Sequence, residues 1–318
     1  MRAVTAAGGQ AVVAERPEPV PGAGELLVRV RAAGLNNADL LQIKGAYPAP
    51  PGSPPDIPGL EFAGEVAVLG PGATRFAVGD RVMAVVGGGG QSQFAVVHER
   101  AAMPVPDAMT WEEAGGFPEV FTTAHDALFT QADLGPGERV CIHGAAGGVG
   151  TAGVQLAAAV GARVIATVRR AASRAGVEAL AGPAGGVTAV DPVDFADHGP
   201  FDVVLETIGG PNLAADVSAL ATGGRIAVIG VGAGAVAELN LLGLMAVRGR
   251  ISASTLRTRP LEQKADAARK VEAHVLPLVA AGRIHVPVTA TYRLEDAPLA
   301  YARFAEGAKL GKIVLIAG

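Results

Sequence analysis

One stretch constrains this chain more than any other: Val140-Cys141-Ile142-His143-Gly144-Ala145-Ala146-Gly147-Gly148-Val149-Gly150. An apolar run enters glycines at 144, 147 and 150 and continues into Thr151-Ala152-Gly153-Val154-Gln155-Leu156-Ala157, a helix-forming segment. Glycine lets the backbone turn sharply and approach a pyrophosphate, whose charge is stabilised by N–H groups at a helix N-terminus. The last glycine allows close packing of helix on sheet. No Lys-Ser or Lys-Thr follows, which disfavours a triphosphate-binding loop. Gly144, Gly147, Gly148, Val149 and Gly150 are therefore candidate dinucleotide contacts. In a chain with 44 glycines a tight strand–helix turn without a ligand is the competing reading.

The surroundings support the first reading. Arg139–His143 reads as a strand, Gly147–Val160 as a helix, Arg163–Val168 as a second strand, and a helical segment follows through Leu180. Further strands are expected at Phe201–Glu206, Arg225–Ile229 and Arg250–Ser254. Strands alternating with helices predict an α/β, Rossmann-type doubly wound parallel sheet. Before residue 118 the rhythm is shorter: apolar runs at Leu26–Val30, Phe62–Leu69, Arg81–Val86 and Gln93–Val97 lie between Pro/Gly turns. Such spacing suggests a small, mostly β, barrel-like domain. After Pro260 a polar helix over 261–281 leads into short strands near Val286–Tyr292 and Lys312–Ile316, which rejoin the first domain.

Val168 is followed by Arg169-Arg170 and then Ser173-Arg174. An acid at the end of the second strand would accept hydrogen bonds from the ribose hydroxyls of NAD. Cations and a hydroxyl there suit a 2′-phosphate instead, pointing to NADPH, unless the arginines only cover a solvated helix start. Thr207 and the Gly230-Val231 turn fall at expected carboxyl ends of strands, where open α/β sheets bind ligands.

Several function classes are disfavoured. A net charge of −4 without basic blocks gives no reason to expect nucleic acid as a partner. One cysteine, Cys141, permits neither an intrachain disulfide nor a thiolate metal cluster, and fits a reducing, cytoplasmic setting. Met1-Arg2 and the polar residues after it do not read as a signal peptide. The most apolar stretch, Ile226–Val247, is interrupted by Glu238 and Asn240 and is not expected to span a membrane.

The motifs in their order resemble the zinc-free quinone oxidoreductases of the medium-chain dehydrogenase/reductase superfamily. They are Ala33-Gly34-Leu35-Asn36-Asn37-Ala38-Asp39, Pro58-Gly59-Leu60-Glu61-Phe62-Ala63-Gly64, Val78-Gly79-Asp80-Arg81-Val82, the glycine turn, Thr255-Leu256-Arg257-Thr258-Arg259 and Gly311-Lys312-Ile313-Val314. The resemblance implies a Rossmann domain at 119–256 inserted into a split, chaperonin-cofactor-like catalytic domain at 1–118 and 257–318. It also implies an active site in the cleft between them and a homodimer. Zinc-dependent relatives carry Cys and His where this chain has Asn36 and Leu60, so no catalytic metal is expected. Without a metal the expected task is hydride transfer from NADPH to a small apolar electrophile, a quinone. An enoyl or alkenal reductase and a cofactor-binding protein with vestigial activity are the alternatives. The resemblance assigns Asn36 and Tyr47 as candidate donors, Thr123 and Leu256 to the nicotinamide, and Lys312 to the cofactor phosphates. One departure weakens the NADPH expectation: many relatives carry Tyr near the adenosine phosphate, where this chain has Val190-Asp191.

Overall fold

The computed structural model describes residues Met1–Gly318, which form two compact units: Met1–Thr122 with Leu256–Gly318, and Thr123–Thr255. Leu256, which the pattern grouped with the cofactor segment, falls in the first unit.

The first unit begins with β1 (Arg2–Ala7), β2 (Gln10–Glu15), β3 (Glu25–Gly34), helix α1 (Asn37–Ile43), β4 (Glu61–Leu69), β5 (Arg81–Val85), β6 (Phe94–His98), β7 (Ala102–Pro104) and helix α2 (Trp111–Gly115). The chain leaves this unit within α3 (Pro118–His125). The inserted unit follows as β8 (Arg139–Ile142), α4 (Gly148–Ala159), β9 (Arg163–Thr167), α5 (Ala171–Ala179), β10 (Val187–Val190), β11 (Phe201–Glu206), α6 (Gly210–Ser218), β12 (Leu220–Val228), α7 (Leu241–Ala246) and β13 (Arg250–Ala253). The chain then completes the first unit with α8 (Leu261–His274), α9 (Leu276–Ala280), β14 (Val288–Arg293), α10 (Ala297–Ala305) and β15 (Lys312–Ile316).

In the first unit β1 and β2 pair with each other, and seven strands form a sheet ordered β14-β15-β3-β4-β5-β7 with β6 also on β3. β3 is the hub: Glu25–Arg29 pair with β6, Ala32–Gly34 with β15, and its other edge with β4. Leu26, Val28 and Val30 project from it into a core with Phe62, Val66 and Val82, which fixes the register, because a one-residue slip would expose all three.

The inserted unit is a parallel sheet ordered β10-β9-β8-β11-β12-β13. Numbered within the unit this is the 3-2-1-4-5-6 order of a doubly wound dinucleotide-binding fold. All six carboxyl ends therefore share one edge. α4 is apolar nearly all round and buried from Gly150 to Ala158, as a helix packed against a sheet must be. No helix of the chain is long and apolar enough to cross a membrane.

Candidate functional site

β8 delivers the chain to the sheet edge, and the glycines turn it into α4. Gly144 has φ +63°, and a side chain there would meet Thr207 Oγ1 at 2.6 Å. At Gly150 a Cβ would lie 2.4 Å from the Gly144 carbonyl oxygen. Both positions thus exclude other residues for steric reasons. Gly147 caps α4 without a side-chain hydrogen bond. The first N–H groups of a helix have no intrahelical partner, so Gly148, Val149 and Gly150 present amide donors at the positive end of the helix dipole.

The neighbouring turns are tied to this one. Thr207 donates its hydroxyl to the His143 carbonyl at 2.8 Å. The Glu206 carboxylate accepts the backbone N–H of Ile208, that of Gly209 at 2.7 Å, and the Asn212 amide at 3.0 Å. A Cβ on Gly230 would stand 2.4 Å from the Thr207 carbonyl oxygen, so β12 exits in close contact with the same loop; Val231 beyond it is half exposed. Gly144–Gly150, Thr207 and Gly230-Val231 therefore gather at one edge of the sheet.

Beneath them lies a buried polar group that the sequence did not disclose. His143 Nε2 is 2.8 Å from Asp216 Oδ1 and 3.9 Å from Glu206 Oε2, and Nδ1 is 3.2 Å from Thr167 Oγ1. Burial pushes the imidazole pKa down, but the hydrogen bonds to Asp216 and Cys141 and the negative charges beside it win, raising it to about 10. The imidazolium thus joins the ends of β8, β9 and β11 to α6. Nothing in the spacing of Cys141, His143, Glu206 and Asp216 announces this pairing, because α6 follows the strands by a connection whose packing is tertiary.

Arg169 and Arg170 stand exposed just past β9. Arg174 does not stand free with them: Nη2 bonds Asp191 Oδ2 at 2.8 Å and Nε reaches the Val168 carbonyl at 3.3 Å. Ser173 lies half-buried in the first turn of α5. Thr123 opens the inserted unit, half-buried in α3.

The other predicted residues sit in the first unit. Asn36 precedes α1 and is held there by Asp39, whose Oδ2 accepts the Asn36 N–H at 2.8 Å, one arm of a capping box. Asp39 is fully buried and also accepts Gly59 N–H at 3.0 Å and Gln91 Nε2 at 3.3 Å. Burial raises its carboxyl to about 7 against the lowering effect of these hydrogen bonds and of Lys312. Lys312 Nζ lies 2.9 Å from the Leu35 carbonyl, 2.7 Å from Asn36 Oδ1 and 2.6 Å from Glu61 Oε1. Its three donors are spent there, so the phosphate contact expected of Lys312 would require surrendering one of them. Asn36 Nδ2 donates to Glu61 Oε1 at 2.9 Å, and Glu61 Oε2 accepts Glu119 N–H at 2.8 Å. Leu60 is buried beside them and offers no ligand atom.

Tyr47 is half-buried under Arg257, whose guanidinium lies 4.8 Å from its ring centroid. Arg257 is itself buried, donating to the Gly87 carbonyl at 2.8 Å, the Tyr47 carbonyl at 3.1 Å and the Gln42 side chain. Its neighbour Leu256 lines a small pocket with Val85, Met103, Thr122 and Lys264.

Residues 22–107 match the alcohol dehydrogenase GroES-like domain, and residues 185–315 match the zinc-binding dehydrogenase family. A thermostable alcohol dehydrogenase from Pyrobaculum aerophilum superposes with a TM-score of 0.84 at 30% identity, covering 100% of this chain and 99% of that one. The chain belongs to the medium-chain dehydrogenase/reductase superfamily. It is an oxidoreductase with the superfamily's fold, and such proteins bind a nicotinamide cofactor. This superfamily member is also 35% identical over 92% of its length to polyketide synthase GfsB of Streptomyces halstedii, of which it spans 5%. It is 30% identical over 95% of its length to the synaptic vesicle membrane protein VAT-1 homolog of Danio rerio, of which it spans 66%.

Proposed function

We propose that this chain reduces a small apolar electrophile, a quinone, with NADPH and without zinc. One observation carries the reading. The Lys312 ammonium stands among Asn36 Oδ1, Glu61 Oε1 and the Leu35 carbonyl, taking the lone pairs that a metal ion would need. With Leu60 apolar, these residues do not fit a zinc ion, which wants four ligands from Cys, His or carboxylate. A chain that cannot polarise an unactivated alcohol through a metal is suited to an acceptor that is already electron-poor.

NADPH supplies the hydride. The inserted unit would bind and orient NADPH: the Gly148–Gly150 amides would hold the pyrophosphate, and Arg169 and Arg170 would supply charge for a 2′-phosphate. In the first unit Asn36 gives its oxygen to Lys312 and one amide hydrogen to Glu61, leaving the second to donate to the acceptor oxygen. Such a pre-oriented donor stabilises negative charge as it develops. Tyr47, fixed under Arg257, is the proton donor where carbon must be protonated. Thr123 is assigned to the nicotinamide carboxamide or ribose.

The likeness to polyketide synthases and to VAT-1 homologs fits a second reading, reduction of an α,β-unsaturated carbonyl. Steady-state comparison of a small quinone with an enal, on protein treated with a chelator, separates the two. A far larger kcat/KM for the enal overturns the quinone assignment, and loss of activity on chelation overturns zinc independence. NADPH oxidation that stays at background with both acceptors, despite tight cofactor binding, leaves only a binding role. We further infer a homodimer. β13 is an open sheet edge, and Leu241, Leu242 and Met245 near it are 63%, 78% and 69% exposed. Sedimentation as a monomer at micromolar concentration refutes this.

A further inference from the structure

The arginine cluster proposed to meet the 2′-phosphate contains its own competitor. β9 and β10 run parallel to Thr167 and Val190, and the ladder continues with Val168 N–H on the Val190 carbonyl at 2.8 Å. Asp191 therefore emerges beside Val168, next to Arg169 and Arg170. Its Oδ2 takes Arg174 Nη2 at 2.8 Å, and its Oδ1 takes the Val193 N–H at 3.2 Å. The two side chains are 31% and 36% exposed, so water and ligand reach the pair. An exposed pair of this kind is worth at most ~1 kcal/mol, and a phosphate can contest it. The contest is nonetheless unfavourable to phosphate in two ways. Arg174 is neutralised where it stands, and a carboxylate charge lies beside the arginines proposed to meet the phosphate.

We propose that Asp191 is a specificity-determining residue: by holding Arg174 and by its own charge, it limits the preference for NADPH over NADH. This rests on the NADPH reading above. Asp191→Asn is the informative change, because the amide keeps an acceptor for Val193 N–H but carries no charge and holds the guanidinium weakly.

The test is equilibrium titration of NADPH and of NADH, at low and at moderate salt, with intact fold checked by circular dichroism. The unmodified chain, Asp191→Asn, Asp191→Asn with Arg174→Ala, and Arg169→Ala with Arg170→Ala are compared. Asp191→Asn is expected to tighten NADPH by about tenfold, the worth of one charge-assisted hydrogen bond, and to leave NADH within about twofold. Adding Arg174→Ala is expected to remove most of the gain, leaving only the smaller part that comes from loss of the carboxylate charge, and salt to shrink both. An unchanged NADPH-to-NADH ratio in Asp191→Asn overturns the proposal, as does a full gain that persists without Arg174. The underlying reading fails separately, if Arg169→Ala with Arg170→Ala leaves NADPH affinity where it was. Asp191→Asn then still reports on Asp191 and Arg174 alone.

Discussion

Asp39 ought to make the first unit less stable as pH rises from about 4 to about 7, and replacing it by asparagine should abolish that slope. The carboxyl is fully buried, and burial lifts it from an ordinary 3.8 to about 7. Below pH 4 the group is protonated both folded and unfolded, and costs nothing extra. Above that, the unfolded chain releases its proton while the folded chain holds it, so each further rise in pH favours the unfolded state until the folded group also titrates. A change from 3.8 to about 7 corresponds to about 4 kcal/mol at roughly 1.4 kcal/mol per tenfold, an order-of-magnitude upper bound. Asp39→Asn removes the titrating charge and keeps one of the two oxygens that accept the Asn36 and Gly59 N–H groups, so its cost from the lost hydrogen bond does not vary with pH. The chain has a single tryptophan, Trp111, which lies in α2 of this unit with Arg81 4.4 Å from its ring centroid. Urea unfolding followed by its fluorescence from pH 4 to 8 gives the stability of both proteins. The variant-minus-parent difference should climb by a few kcal/mol across that window. A flat difference would show that Asp39 titrates normally and that the buried network carries no charge penalty.

Other residues give shorter tests. Gly150→Ala puts a Cβ 2.4 Å from the Gly144 oxygen, so cofactor titration should show at least a roughly tenfold loss of affinity for both nucleotides, with the first unit's unfolding unchanged. Lys312→Met strands the Glu61 carboxylate in the core. Breaking a buried pair costs about 3–5 kcal/mol, and thermal unfolding should recover part of that when Glu61→Gln is added. Arg257→Lys keeps the charge but loses the fork that holds Tyr47, Gly87 and Gln42. It should lower kcat for an enal in the parent and have little effect in a Tyr47→Phe background. Equal losses in both backgrounds would reduce Arg257 to a packing role.

The fold was legible where its cause is local. The strand at 139–142, the glycine turn and the helix from Gly148 follow from apolar run, turn chemistry and helix propensity, all within one short segment. The alternation that predicts a parallel sheet is equally local, and the sheet order realises it. Gly8-Gly9 between two alternating runs is a hairpin signal for the β1–β2 pair, but a weak one, because alanine-rich segments have low β propensity. β10 is hidden for a different reason: Val187–Val190 is short, with Gly185-Gly186 before it and Asp191-Pro192 after it, and it becomes a strand where β9 offers it a parallel edge. At the site the division is the same. Glycine identities can be read from the chain because backbone sterics act within a few residues. The partner of a charged side chain cannot, since Lys312 meets Glu61 and Arg257 meets Gln42 across most of the chain's length. The family resemblance assigns Lys312 to the cofactor phosphates, as a free cation would be. Only the fold shows that three oxygens have already claimed it.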